Sequence, residues 1–464
     1  MTLRRFFQQP HRHAWRTAAC DAAAIERTVS FFSLQSRSPC GLLEFAPATI
    51  AGLSAIRRQY FLAFALMGSV LPYLSVWLAN RGLSDAQVGY VISTTGVGVM
   101  VSPLLITLLA DTRFDRRRLL AAQQFAASLS LGVMLLSTGF TALLLAHLVF
   151  ALALTPVIPL QDAVLFSEQG RQRSQGGSAT PYHRVRVFGT LGFMVPSVLL
   201  FAHLRLGGSL DWAVGLAAGF AMLGAINARW LPRGETPAAS PREADATSGR
   251  GSGGRRGSRL PTVAAAKSVM RSDALVFAGA MWLLFIAMSA YYTFYPVLLT
   301  RPTESGGVGL DAMWIGLIAN VGVAIELPFM LCFGWLLRRL GPKRLMTLGA
   351  AAMAIRMGLL WLFPIPAVAI GTQVLHGPMV LVMHVAPPVF FNRFAAEAYR
   401  SSVQGLYVVL VTGTGRIVGN VTGGQVATVG LGDVFFYATL LCLAATALFA
   451  LAFRPRGEAA GVEA

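Results

Sequence analysis

Runs of about twenty apolar residues recur along this chain, and at about 1.5 Å of rise per helical residue each can cross a hydrocarbon core of about 30 Å. They fall near residues 57–79, 85–110, 118–138, 141–167, 184–203, 210–231, 274–299, 311–337, 343–363, 366–392, 401–427 and 432–453. In lipid a segment must satisfy its own backbone N–H and C=O groups, so each run is predicted to be a helix. The expected fold class is all-α and integral to a membrane, with twelve transmembrane helices. Charge content agrees: 12% of the 464 residues are charged, against about 25% in soluble domains. The formal charge of +18 does not indicate a nucleic-acid partner, because Lys and Arg concentrate in short loops, the pattern that sets membrane orientation.

The runs divide six and six. The divider, from Pro232 to about Arg271, contains PRGETPAASPREADATSGRGSGGRRGSR, a flexible linker by composition. The predicted organisation is a basic extension over 1–55, read as disordered and without a transport role, with an amphipathic surface segment or a mis-assigned start as alternatives, then a six-helix bundle over 56–231. A linker over 232–272, a second six-helix bundle over 273–454 and a tail over 455–464 follow. With both termini cytoplasmic, the inner segments hold Arg113, Arg116, Arg117, Arg118, Arg171, Arg173, Arg338, Arg339, Lys343 and Arg344. The outer loops hold little beyond Arg81, Arg205 and Arg301. That asymmetry predicts a multi-pass protein of the cytoplasmic (inner) membrane, surrounded by lipid and monomeric.

Charges inside the apolar runs carry the functional signal. Between Thr155 and Pro196, two runs flank a basic, glycine-rich loop; the first holds Asp162 and the second Arg186. Counted along the helices, Asp162 lies about 10 Å and Arg186 about 6 Å above that loop, so antiparallel neighbours bring acid and base to similar depth. Either charge alone in lipid costs about 2.5–3.5 kcal/mol. The two are read as part of a substrate or ion pathway, with a structural ion pair as the alternative. In the second half Glu326, Arg356 and His376 lie about 18, 10 and 14 Å deep on three consecutive runs. A carboxylate beside an arginine releases its proton more readily, and the same carboxylate desolvated holds it more tightly. Such a site can take a proton on one side and give it up on the other, with Glu326 as carrier, His376 as its partner and Arg356 setting the pKa; an interhelical charge cluster with no proton traffic is the alternative.

Other positions are open to two readings. Arg416, among small residues in VTGTGRIVGNVTGG, either contacts an anionic substrate or pairs with a carboxylate. Tyr73 and Trp77 are four residues apart, on one helical face, and are candidates to stack on a planar substrate. Tyr291, Tyr292 and Tyr295 line a cavity or form an aromatic belt. His147, His203 and His384 read as core or interface histidines. The four cysteines, Cys20, Cys40, Cys332 and Cys442, form no CxxC and no ligand spacing, so no metal is expected. Neither GxxxxGK, HExxH nor GxSxG occurs, so ATP-driven transport, an enzyme and a cofactor are not expected.

Two basic turns stand at the same ordinal place in each half, TLLADTRFDRRRLL over 107–120 and GWLLRRLGPKRLM over 334–346. At these residues the chain resembles the major facilitator superfamily. Thr107 stands where the signature leads with Gly, and Phe114 and Asp115 interrupt its Gly-Arg. The resemblance implies the major facilitator fold of two six-helix bundles, with Asp111, Arg113 and Arg117 as gating-loop residues. Residues 57–453 are similar to the branch of lactose permease and the phenylpropionate permeases, whose members are proton symporters. PLQDAV and RVRVFGTLGF resemble that branch's sugar-binding segment, which implies Asp162 and Arg186 as the substrate-binding pair and Phe193 in the place of a stacking tryptophan. AIELPF, AMAIRMGLL and VLHGP place Glu326, Arg356 and His376 at the branch's ionisable positions. Met379 stands where the permease carries its coupling glutamate, and Gln373 replaces a lysine.

The expected function is secondary active transport of a small organic solute by alternating access, with proton-coupled symport of an aromatic acid, nucleoside or saccharide. The alternatives are a proton-coupled exporter or antiporter, and a permease-like solute sensor that does not transport.

Overall fold

Backbone satisfaction within each span and a few proline and glycine breaks set the architecture. The computed structural model describes residues 47–112, 115–176, 178–232, 272–394 and 400–454, and every regular element among them is helical. Helix α1 is a broken pair, Pro47–Val70 and Leu74–Asn80, bent by 42° where Pro72 supplies no N–H. It starts earlier than the apolar run, at Pro47, because proline is pre-set for a first helical position. Then come α2 (Asp85–Thr112), α3 (Arg116–Leu136), α4 (Phe140–Ser174), α5 (Tyr182–Arg205) and α6 (Asp211–Trp230).

The second half opens with α7 (Ser272–Thr300). The segment Trp314–Leu362 holds two spans, α8 over 314–340 and α9 over 342–362, because Gly341 adopts φ +71 and Pro342 follows it. Only glycine enters that region without steric cost. α10 (366–394), α11 (400–429) and α12 (Leu431–Ala452) complete twelve helical segments. α10 is irregular: a 3₁₀ turn over Thr372–Leu375 precedes His376, and a π-helical stretch covers Leu381–Val385. Pro378 removes one ladder N–H within it, and irregular backbone at membrane depth is tolerated where it lines a cavity.

The halves meet through α2 with α11 and α5 with α8. Gly89 and Gly96 of α2 lie against the backbone of α11 at Asn420, Gly424 and Gly413, the close approach that small residues permit between membrane helices. Among the described residues, the side-chain hydrogen bonds joining the halves all lie toward the face opposite the basic loops. They are Arg301 to Asp85 at 2.7 Å, Gln425 to the Tyr90 hydroxyl at 2.5 Å, Asn320 to the Met194 carbonyl at 3.1 Å and Asn420 to the Ile92 carbonyl at 3.5 Å. Phe201 packs on Trp314 at the same level. Toward the basic face, Tyr182 and Val187 of α5 and Leu331 and Trp335 of α8 are exposed. Among the described residues the two halves are thus bonded at one face, while at the other, here termed the splayed face, these side chains stand exposed.

The Asp85–Arg301 bridge is the charged part of that closure. Arg301→Ala should therefore speed labelling of a Ser75→Cys probe by a membrane-impermeant maleimide applied to the closed face, in a background without the native cysteines. An ion pair of about 0.5–1 kcal/mol gives about a two- to fivefold shift; an unchanged rate means the bridge does not hold the face shut.

Candidate functional site

Between the halves lies a cavity of about 470 Å³. The first half contributes Phe64, Ser75, Thr95, Arg186, Thr190 and Phe193, and the second contributes Tyr291, Tyr292, Glu326, Gln373, His376, His384, Arg416 and Asn420, among others. The walls combine aromatic faces with a few charged groups, the usual make-up of a small-molecule site.

On the second-half wall three helices build a hydrogen-bonded chain. Arg356 of α9 has no solvent exposure, and its Nη1 reaches Nδ1 of His376 on α10 at 3.0 Å. Nε2 of His376 reaches Oε1 of Glu326 on α8 at 2.9 Å. A guanidinium has donors only, so Nδ1 must accept and the single ring proton sits on Nε2, donating to Glu326. An imidazolium would set two donors against each other at Nδ1, so His376 is neutral in this arrangement. Arg356 also lies over the rings of Tyr291 at 4.7 Å and Tyr295 at 5.7 Å. Its Nη1 approaches the Met379 sulfur at 3.4 Å, so a thioether stands beside the guanidinium. Gln373 donates to the Tyr295 hydroxyl at 3.0 Å, which itself donates to the Ala369 carbonyl at 2.8 Å, fixing the aromatic shelf under Arg356. The three tyrosines line the cavity.

The first-half wall is arranged differently from a simple ion pair. Asp162 accepts a hydrogen bond from Tyr60 and another from Tyr182 at 3.4 Å, and it is not among the residues lining the cavity. Arg186 does line it, with its guanidinium 4.0 Å over the Phe64 ring and Nη1 buried without a hydrogen-bond partner. Among the described residues no ion pair within 4.0 Å joins Asp162 to Arg186; they share an electrostatic neighbourhood. Phe193 reaches the cavity because Gly68 of α1 packs on its backbone and Gly192 packs on that of Phe61. Tyr60 and Phe64, four residues apart on one face of α1, are site residues that the sequence reading missed, as is Tyr182. The i, i+4 spacing of Tyr60 and Phe64 was the available signal.

Tyr73 and Trp77 are not brought to the cavity. Both follow the bend at Pro72 and keep a common face, with the Trp77 N–H on the Tyr73 carbonyl at 2.9 Å, but that face packs on protein. Tyr73 is buried against Gly316 of α8, and Trp77 donates Nε1 to Asp211 at 2.7 Å with Arg81 over its ring. In the first basic turn, Arg113 lies outside the described residues and Asp111 stands in the last turn of α2. Arg117 bridges to Asp115 at 2.8 Å and donates to the Leu231 carbonyl at 3.2 Å. Asp115 also caps α3 by accepting from the Arg117 N–H. Burial acts to raise the Asp115 pKa, but hydrogen bonds from Arg117 outweigh it and hold the carboxyl below its ordinary value.

Residues 53–438 match the MFS_1 like family. The chain belongs to that family. Its twelve helices and two halves are those of the major facilitator superfamily, and the protein is a multi-pass membrane transporter of small molecules, not an enzyme. The putative nucleoside transporter YegT of Escherichia coli (strain K12) is 24% identical over 379 residues, 78% of this chain and 82% of YegT. The probable 3-phenylpropionic acid transporter of the same organism is 25% identical over 408 residues, 86% of this chain and 96% of that protein. The crystal structure of nucleoside transporter NupG aligns with a TM-score of 0.70 at 21% identity, covering 86% of this chain and 98% of NupG, a likeness of fold alone.

In this MFS_1-like transporter the Tyr60 hydroxyl is the nearer of two donors to a carboxylate. Tyr60→Phe should lower stability by about 1.5–3 kcal/mol, the worth of a hydrogen bond to a charged group, read as thermal unfolding in detergent. Tyr182→Phe should cost less; equal costs would show that the two donors hold Asp162 alike.

Proposed function

We propose that this chain is a proton-coupled symporter of the cytoplasmic membrane, with both termini in the cytoplasm, that takes up a small organic solute by alternating access. The observation that carries the reading is the chain Arg356–His376–Glu326, which starts fully buried and ends on the wall of a cavity shared by both halves. Glu326 is the group that accepts and releases the proton. His376, its tautomer fixed by Arg356, keeps one carboxylate oxygen occupied and leaves the other to the cavity. Closing the splayed face strips water from that carboxylate, and an unpaired ionised carboxylate out of water costs several kcal/mol. A bound proton removes that cost, so closure follows loading.

The solute contacts on the first half are Arg186, Phe193 and Phe64, with Asp162, held by Tyr60 and Tyr182, adding its field behind Arg186. Aromatic faces on both halves suit an aromatic acid, a nucleoside or a saccharide, and the names of the relatives, a putative nucleoside transporter and a probable 3-phenylpropionic acid transporter, lie in that range. Arg113 and Arg117 sit at the basic turn, on the cytoplasmic side by the distribution of Lys and Arg.

Two experiments test this, with a solute found by thermal-shift screening of the purified protein. One proton per solute across about two pH units can hold about a 100-fold concentration ratio. In proteoliposomes Glu326→Gln should abolish that accumulation yet still exchange solute across the membrane, because the amide mimics the protonated carboxyl. Accumulation that survives in Glu326→Gln removes Glu326 from the proton path. Arg186→Ala should weaken solute binding more than Asp162→Asn; if both variants bind as tightly as the parent, the pair is structural.

A further inference from the structure

We infer that the solute is an aromatic monocarboxylate whose acidic group is held by Arg416, an assignment that rests on the transport reading above and specifies the solute's charge. Three arginines sit within the spans at the cavity or its wall, and they differ in what they meet. Arg356 has His376, Met379 and two tyrosine rings. Arg186 has the Phe64 ring and the field of Asp162. Arg416 lines the cavity, and among the described residues it meets no carboxylate within 4.0 Å, no hydrogen-bond acceptor and no ring face, with Nε buried and unpartnered. An arginine in that position is costly unless water or a ligand completes it.

The guanidinium is also held in place. Gly415 and Gly419, on either side of Arg416 in sequence, pack against Phe285 and the backbone of Ile286 on α7, so the turn of α11 that carries the charge lies tight against α7. Its electrostatic neighbours are Tyr292, which is half exposed to the cavity, and His384. The charge balance of the lining favours an anion. Arg186 and Arg416 are positive, and Glu326 is the carboxylate among the lining residues, already engaged by His376. The lining's two arginines exceed its one carboxylate by one, and a solute carboxylate balances that excess. A guanidinium takes a carboxylate in a two-bond fork, and Tyr292 and Phe193 supply aromatic faces from opposite halves for the ring.

The test is equilibrium binding to the purified full chain, with no gradient, so its outcome is independent of proton coupling. Thermal shift and calorimetry compare benzoate, phenylacetate and 3-phenylpropionate with their neutral primary amides and with uridine. At least one acid should bind at least tenfold more tightly than its amide and more tightly than uridine. Arg416→Gln should weaken that acid by about 10- to 100-fold, the effect of losing hydrogen bonds to a charged group, and Arg416→Lys should recover part of it. Arg416→Gln without ligand should unfold no lower than the parent, since no protein partner is lost, which separates a binding defect from misfolding. No binding by any acid, equal binding of acid and amide, tighter binding of uridine, or parent-like affinity in Arg416→Gln overturns the assignment. Retained acid binding together with lost proton coupling in the parent would overturn the symport reading and leave this one standing.

Discussion

A guanidinium with no access to solvent, at a depth where water would ordinarily be absent, is the constraint on which the second half is built. Arg356 cannot lose its charge and cannot accept a hydrogen bond, so everything it touches must receive. His376 receives at Nδ1, Met379 offers sulfur, and Tyr291 and Tyr295 offer ring faces. The consequence passes outward by geometry: with Nδ1 committed, the ring proton sits at Nε2 and points at Glu326. One buried charge thereby decides the tautomer of a histidine and the orientation of a carboxylate on another helix, and that carboxylate faces the cavity.

The same economy of packing shapes the two halves. Glycines on α2 and α11 let backbones touch toward one face, while polar side chains at Asp85, Tyr90, Asn320 and Arg301 close it. The irregular winding of α10 around His376 frees the ring to meet α8 and α9 together. Charges in the cavity then make closure conditional, because shutting the splayed face removes water that ionised groups need.

Much of this was legible in the amino-acid order. Lipid admits few backbone solutions, so apolar run length reported twelve helices, and the cost of charge in lipid singled out Asp162, Arg186, Glu326, Arg356, His376 and Arg416. Depth along a helix can be counted; direction around it cannot once the helix breaks. That is why Tyr73 and Trp77, which share a face beyond the bend at Pro72, turn it to Gly316 and Asp211 and not to the cavity, and why Asp162 and Arg186, similar in depth, find partners on α1 instead of each other. Tyr60 and Phe64 are uncharged and carry no depth penalty, so nothing in composition marked them. The pairing of Arg117 with Asp115 arises because an acid interrupts the basic turn next to the α3 N-terminus, where a carboxylate is favoured by the unsatisfied N–H groups.

The most direct test of the central claim, that Glu326 takes and gives up a proton as the cavity fills, is infrared difference spectroscopy of the lipid-embedded protein on adding a bound solute. The expected result is a change in the protonated-carboxyl stretch that disappears in Glu326→Gln and shifts in His376→Asn, since the histidine N–H contacts that carboxyl. A solute-induced spectrum with no carboxyl band attributable to Glu326 would contradict the claim.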